Sequence, residues 1–362
     1  MSNKEIISDK QGISLIIMFI IGTASIMARG LDAKQDLWLA VIIALIGAFP
    51  IVFIYAYLQY IFPGKDLFDI IYICFGNVIG KGIIIIYTWF LFHTGILVCM
   101  NFTNFVWIVA LLETPKIILM ISMIVLCTWI IKEGIEVMGR WAEFFVCVLV
   151  GFIFIAILFL IPKMHIKNIQ PILNSGIKPF IKGTFSVFTF PFTQIIPFMI
   201  IFSNFKAKKS PYKIYLLGLL LGAIVILINS LGSILVLGVS TATGIYYPAY
   251  GSASRIGLGA ILQRIEIIIA TTFTLGAFIK AGVYLLATCK GISKIFKYND
   301  YRFIVVPVSL LMINLSYFLH DSVMDYFEWI LGVWTYYAFP FQIVFPIVIL
   351  IVAKIRKKIQ EV

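Results

Sequence analysis

Ten long apolar stretches run through the chain, near residues 12–28, 36–60, 82–112, 116–131, 138–161, 184–203, 213–240, 265–288, 303–320 and 331–353. This repeated length constrains the fold more than any other feature, because about twenty apolar residues in a helix match the hydrocarbon thickness of a bilayer. The stretches lack the strict two-residue alternation of a transmembrane barrel. Hydrophobic residues make up 62% of the chain and charged residues 12%, which leaves too little polar material to coat a water-soluble globule. The sequence predicts an all-α integral membrane protein with ten transmembrane helices.

The first and sixth stretches are interrupted, one by Ile20-Ile21-Gly22-Thr23-Ala24-Ser25 and the other by Phe188-Thr189-Phe190-Pro191-Phe192-Thr193-Gln194. Inside a bilayer, backbone groups released by a break are tolerated only where they face protein or a polar cavity. Dividing the chain between Pro162 and Gly183 gives two halves of five spans, each opening with a broken helix. Five is odd, so the second half enters the membrane inverted relative to the first, and a binding site is expected at mid-depth between the repeats. The expected units are residues 1–162 as the first repeat, 163–183 as an external amphipathic linker, and 184–362 as the second repeat with a cytoplasmic tail.

The formal net charge is +12, but the basic residues are spread over short loops, with no basic domain to grip nucleic acid. They report orientation instead. Lys4, Lys10, Lys65, Lys81, Lys132, Lys206, Lys208, Lys209, Lys290, Lys294 and the tail from Lys354 to Lys358 fall on one side, which places both termini in the cytoplasm. The external linker opposes this with Lys163, Lys167, Lys178 and Lys182, without reversing the balance. The first apolar run lacks a cleavable-signal pattern and is expected to remain as a span. Five cysteines without C-x-x-C spacing indicate neither a disulfide framework nor a zinc site. No nucleophile, phosphate-binding or metal motif sits in a soluble segment, so the chain is read as a non-enzyme needing no cofactor and no metal.

The candidate ligand-binding residues follow from the breaks. Gly22, Thr23, Ala24 and Ser25 offer close backbone approach and two hydroxyls at a half-helix terminus; the alternative is tight helix packing through small residues. Phe188, Thr189, Phe190, Thr193 and Gln194 surround Pro191, with Pro197 beyond, and suit an unwound stretch walled by aromatics. Thr271 and Thr272 lie mid-span in the eighth stretch, either lining the pocket or bonding back to their own helix. His93 sits in the third, as a structural donor or a proton relay. Lys280 is deepest of all, about ten residues, or ~15 Å, from the end of its span, too far for its stem to reach water easily. An ammonium there must pair or lose its proton, which makes it a functional candidate.

Several phrases in order carry a resemblance: Ala33-Lys34-Gln35-Asp36 with Trp38, Phe62-Pro63-Gly64-Lys65, the run from Gly134 to Glu143, the linker from Ile169 to Phe180, Phe190-Pro191-Phe192 and Arg264-Ile265-Glu266. Over essentially its whole length the chain resembles the B subunit of spore germinant receptors, within the amino acid, polyamine and organocation transporter superfamily. The resemblance implies a leucine-transporter-like fold in the spore inner membrane. It implies a subunit that senses a small nutrient, commonly an amino acid, and works with an A subunit and a C lipoprotein. It also implies that the eighth helix packs on the first near a cation site, which the Lys280 ammonium would fill; depth and shared side of the membrane make Glu143 its expected anion, with Arg140, three residues earlier on the same helix, as a rival for that carboxylate. Gln194 stands where the family often has a glutamate and cannot cycle a proton. The receptor reading competes with an amino acid or amine permease working by alternating access, and with a non-transporting scaffold.

Overall fold

The computed structural model describes residues 5–174, 176–255 and 265–360, with side chains as far as 356. Lys4, Ser175, Arg264 and the side chains of Lys357 and Lys358, all used above, lie outside the described residues.

The chain is helical almost throughout. In the first half come α1 (Asp9–Ala24), α2 (Leu37–Ile61), α3 (Leu67–Val109), α4 (Lys116–Glu133) and α5 (Ile135–Leu160). In the second come α6 (Ile177–Val187), α7 (Phe198–Ile201), α8 (Ser210–Thr243), α9 (Pro248–Ala253), α10 (Glu266–Phe296), α11 (Val305–Leu319), α12 (Val323–Gly332), α13 (Trp334–Phe339) and α14 (Phe345–Gln360). Among the described residues, eight helical segments are long and apolar enough to cross a membrane. Of the other expected spans, α1 has only 16 residues because it breaks, and α4 carries Lys116, Lys132 and Glu133 in its 18.

The core forms around α1, where every residue from Ser14 to Ala24 is buried. A helix enclosed on all sides belongs to the centre of a bundle rather than to its lipid face. Its start is fixed by Ser8, whose hydroxyl accepts from the Gln11 amide while the Gln11 side chain accepts from the Ser8 amide, a reciprocal cap that satisfies two helix-end donors. Helices α8, α10 and α5 pack around it. Gly22 and Gly276 meet backbone to backbone, since a Cβ on Gly22 would lie 2.7 Å from the Gly276 carbonyl oxygen. Such an approach needs two residues without side chains.

Both expected breaks are present. Helix α1 stops at Ala24, and α6 runs into a π-turn, Phe188–Phe192, and a 3-10 turn, Thr193–Ile195, before α7. Phe190 is extended (φ −143°, ψ 114°), and Pro191, which lacks an N–H, follows it. A third interruption lies in the last span, where α13 passes through a π-turn, Pro340–Val344, into α14.

Three features differ from the sequence reading. The linker expected over 163–183 holds a 3-10 turn at Ile166–Ile169, just after one at Ile161–Lys163, bends and turns at 171–174, and the start of α6 at Ile177; Pro171 interrupts any helix before that. Helix α3 starts fifteen residues before the expected span and bends at Gly76 (φ 75°). The residues between the last two expected spans fold as α12, capped at Ser322, whose hydroxyl accepts from the Asp325 amide.

The N-terminal strand β1 (Ile6–Ile7) pairs in parallel with β2 (Asn204–Phe205), Ile6 opposite Asn204. Glu5 accepts from the Tyr301 hydroxyl and lies 3.4 Å from Arg302, while Arg356 donates to the Ile73 carbonyl. The beginning and end of the chain therefore share one face.

Candidate functional site

The two breaks meet at a small cavity of about 30 Å³, lined by Thr23, Met27, Thr94, Leu97, Val98, Asn101, Phe190, Gln194, Tyr326, Ile330 and Trp334. Beside it lies Lys280, wholly buried at 0% exposure. Its ammonium donates to the Thr23 hydroxyl at 2.8 Å and lies 4.4 Å from the Phe190 ring centre and 4.8 Å from that of Phe19. Desolvated cation–ring contacts contribute about 2 kcal/mol each, yet they supply no counter-charge.

The expected Glu143 partner is absent. Glu143 sits half-buried on α5, and among the described residues no ion pair joins it to Lys280. The reason is rotational: the lysine points toward the break in α1, where Thr23 is within reach. Arg140 pairs loosely with Glu136, at 3.9 Å, rather than with Glu143.

A second buried cation escaped the sequence reading. Arg29 is 4% exposed; it donates to the Ile330 carbonyl at 2.8 Å, reaches the Thr335 hydroxyl at 3.5 Å and faces the Phe190 ring from 5.3 Å. Phe190 thus stands between two cations. An arginine just past an apolar run reads as an interfacial anchor; only the fold of α12 over it makes it interior. Tyr326, whose hydroxyl donates to the Leu97 carbonyl, and Trp334 were missed for the same reason.

Acceptors complement these cations. Among the described residues the side-chain oxygens of Asn101 and Gln194 are buried without hydrogen-bond partners, although the Gln194 amide also lies within reach of the Tyr284 hydroxyl. A buried acceptor left unpaired costs about 1–3 kcal/mol, and both residues face the cavity. Such groups in a binding protein are where a ligand donor belongs.

The other predicted residues are placed as follows. Thr23, Phe190 and Gln194 line the cavity. Gly22 is occupied by its contact with Gly276. Ala24 and Ser25 end α1, where the Ser25 hydroxyl bonds back to the Gly22 carbonyl and the Ser25 carbonyl accepts from Asn229. Thr189 bonds back within its own helix, and Thr193 donates to the Gln342 side chain at the third break. Phe188 lies near Phe185 and Gly47. Thr272 bonds back to Ile268, and Thr271 is half-buried away from the cavity lining. His93 is held among Trp89, Trp329 and Tyr337 rather than at the cavity.

Outward from the cavity, a wider recess of about 680 Å³ is lined by residues including Met27, Arg29, Asp32, Lys182, Tyr246 and Phe327. Met27 borders both spaces. Asp32 and Lys182 pair at 2.8 Å across the recess, and Tyr246 stacks on Phe327 with ring centres 4.2 Å apart.

An interior cavity at the junction of two broken helices, in an all-α bundle of apolar spans, defines a protein of transporter architecture. The fold is similar to Mhp1, a nucleobase-cation-symport-1 family transporter, in a closed conformation with bromovinylhydantoin bound (TM-score 0.70, 12% identity, 90% of this chain and 75% of that one). It is also similar to MhsT in complex with L-phenylalanine (TM-score 0.60, 14% identity, 94% of this chain and 97% of that one). Residues 6–324 match the family described as spore germination protein, and the chain belongs to that family. It is 25% identical over 360 residues to spore germination protein KB of Bacillus subtilis strain 168, covering 98% of this chain and 96% of that protein. It is 22% identical over 279 residues to the putative spore germination protein YfkT of the same organism, covering 77% and 76%. Of these, Mhp1 is described as a transporter, and the likeness that Mhp1 and MhsT show is one of fold.

Proposed function

We propose that the chain binds a small amino acid in the cavity between the two breaks and changes conformation by alternating access, as an amino acid permease does. The observation that carries this is the asymmetry around Lys280. A cation without a carboxylate lies near two unpaired acceptors, Asn101 and Gln194, which matches the carboxylate and ammonium of a zwitterion. Phe190, Leu97, Val98 and Ile330 supply an apolar wall for a modest side chain. In this reading α1–α5 and the helices from α6 onward form two inverted repeats of five spans, related across the site. The cavity is small, about 30 Å³, so ligand binding requires Met27, Tyr326 or Trp334 to withdraw toward the wider recess.

A second reading is favoured by the family: a germinant receptor subunit in the spore inner membrane, with both termini on the core side. There the same ligand shifts a conformational population that an A subunit and a C lipoprotein read. The two readings share the pocket and differ in whether solute crosses.

The test is ligand-dependent thermal stabilisation of purified protein against amino acids, their decarboxylated amines, nucleosides and sugars. Stabilisation by an amino acid and not by its amine is expected, because Lys280 repels a ligand that has only a cation. Stabilisation by the amine alone would overturn the proposal. Uptake of the stabilising amino acid into proteoliposomes then separates permease from receptor.

A further inference from the structure

On the face that carries the N-terminus, a cavity of about 550 Å³ opens between the start of α3 and the end of α10. It exists because α3 bends at Gly76, whose φ of 75° favours glycine; a Cβ there would meet nothing within 4 Å. Lys81, Lys294 and Lys297 line it, and among the described residues no carboxylate does. Lys294 is committed to Asp69, which lies behind it on the first turn of α3. Lys81 and Lys297 are exposed and make no ion pair among the described residues.

Two further observations point to a ligand. Ser293 also lines the cavity, is only 8% exposed, and its hydroxyl is buried without a hydrogen-bond partner. Lys297 ends α10 in the left-handed region (φ 59°), where glycine is the usual occupant, yet here a long cationic side chain is kept. Around the cavity Val78 is 87% exposed and Ile79 and Phe296 are each 62% exposed. Apolar residues that open, beside lysines, mark the boundary between hydrocarbon and headgroups.

We infer that this cavity binds the phosphodiester headgroup of an anionic phospholipid from the leaflet on the N-terminal face. Lys81 and Lys297 neutralise the phosphate as point charges, the Ser293 hydroxyl donates to one of its oxygens, and the acyl chains lie along Val78, Ile79 and Phe296. Basic recesses between membrane helices are suited to such headgroups. A free phosphate ion would satisfy the lysines and the serine but leave the apolar rim without a role, which favours the lipid. The inference is independent of the ligand proposed for the central cavity.

Native mass spectrometry of the full chain in detergent tests it, with phosphatidylglycerol and phosphatidylcholine of identical acyl chains and, separately, inorganic phosphate. Phosphatidylglycerol is expected to be retained at least tenfold better than phosphatidylcholine. Lys81→Ala with Lys297→Ala should abolish that preference, Lys81→Arg with Lys297→Arg should keep it, and Ser293→Ala should weaken it severalfold. Equal retention of the two lipids, or a preference that survives the double alanine change, would overturn the inference. Displacement of phosphatidylglycerol by millimolar inorganic phosphate would equally overturn the lipid source, assigning the site to the free ion.

Discussion

Lys280 donates to Thr23 across 2.8 Å, and this bond ties α10 to α1 at the last turn before α1 breaks. A hydrogen bond to a charged group is worth about 1.5–3 kcal/mol. Thr23→Val keeps the shape and removes the acceptor, and should weaken ligand-dependent stabilisation by tenfold or more. Lys280→Met should do at least as much, and the double variant should lose less than the sum of the two. Additive losses in that cycle would uncouple the pair.

Glu143 offers a contrast on α5. Because it is half-buried and makes no ion pair among the described residues, Glu143→Gln should change thermal stability by no more than about 0.5 kcal/mol and leave ligand response intact. A loss comparable with that of Lys280→Met would restore the pairing expected from sequence.

The Gly22–Gly276 contact leaves no room for a side chain. Gly22→Leu should therefore separate α1 from α10 and lower the amount of folded protein in the membrane, with a loss of several kcal/mol from overpacking. Normal abundance combined with lost ligand response would instead assign Gly22 to the ligand site.

Orientation is tested by single-cysteine labelling in a background without the five natural cysteines. An impermeant reagent applied from outside should modify a cysteine at Asn174 and spare one at Lys208, both exposed in the structure. The reverse pattern would invert the protein in the membrane.

Much of this architecture was legible in the chain because hydrocarbon enforces long apolar runs and punishes breaks. The second break falls within Phe188–Gln194 as the composition puts it, while the first begins only at Ser25, the end of the expected motif, and Thr23, Phe190 and Gln194 do reach the cavity. What was not legible depends on rotation and on long-range closure. Depth alone could not tell whether Lys280 faced Glu143 or Thr23. Arg29 and Tyr326 enter the site because α12 folds over it, with Trp334 following on α13, and residues 321–330, between the last two apolar stretches, carry no pattern that signals this packing. His93 shows the limit on the other side, a polar residue mid-span whose neighbours turned out to be rings.

The size of the central cavity also fixes a threshold. A space of about 30 Å³ is small for an amino acid, so under the proposed function the conformer that accepts one is a more open member of the ensemble. If that conformer held one part in a hundred of the population, apparent affinity would fall about a hundredfold below the intrinsic value. On that reading the closed state would act as a filter on concentration, passing over traces of ligand and answering only to abundance.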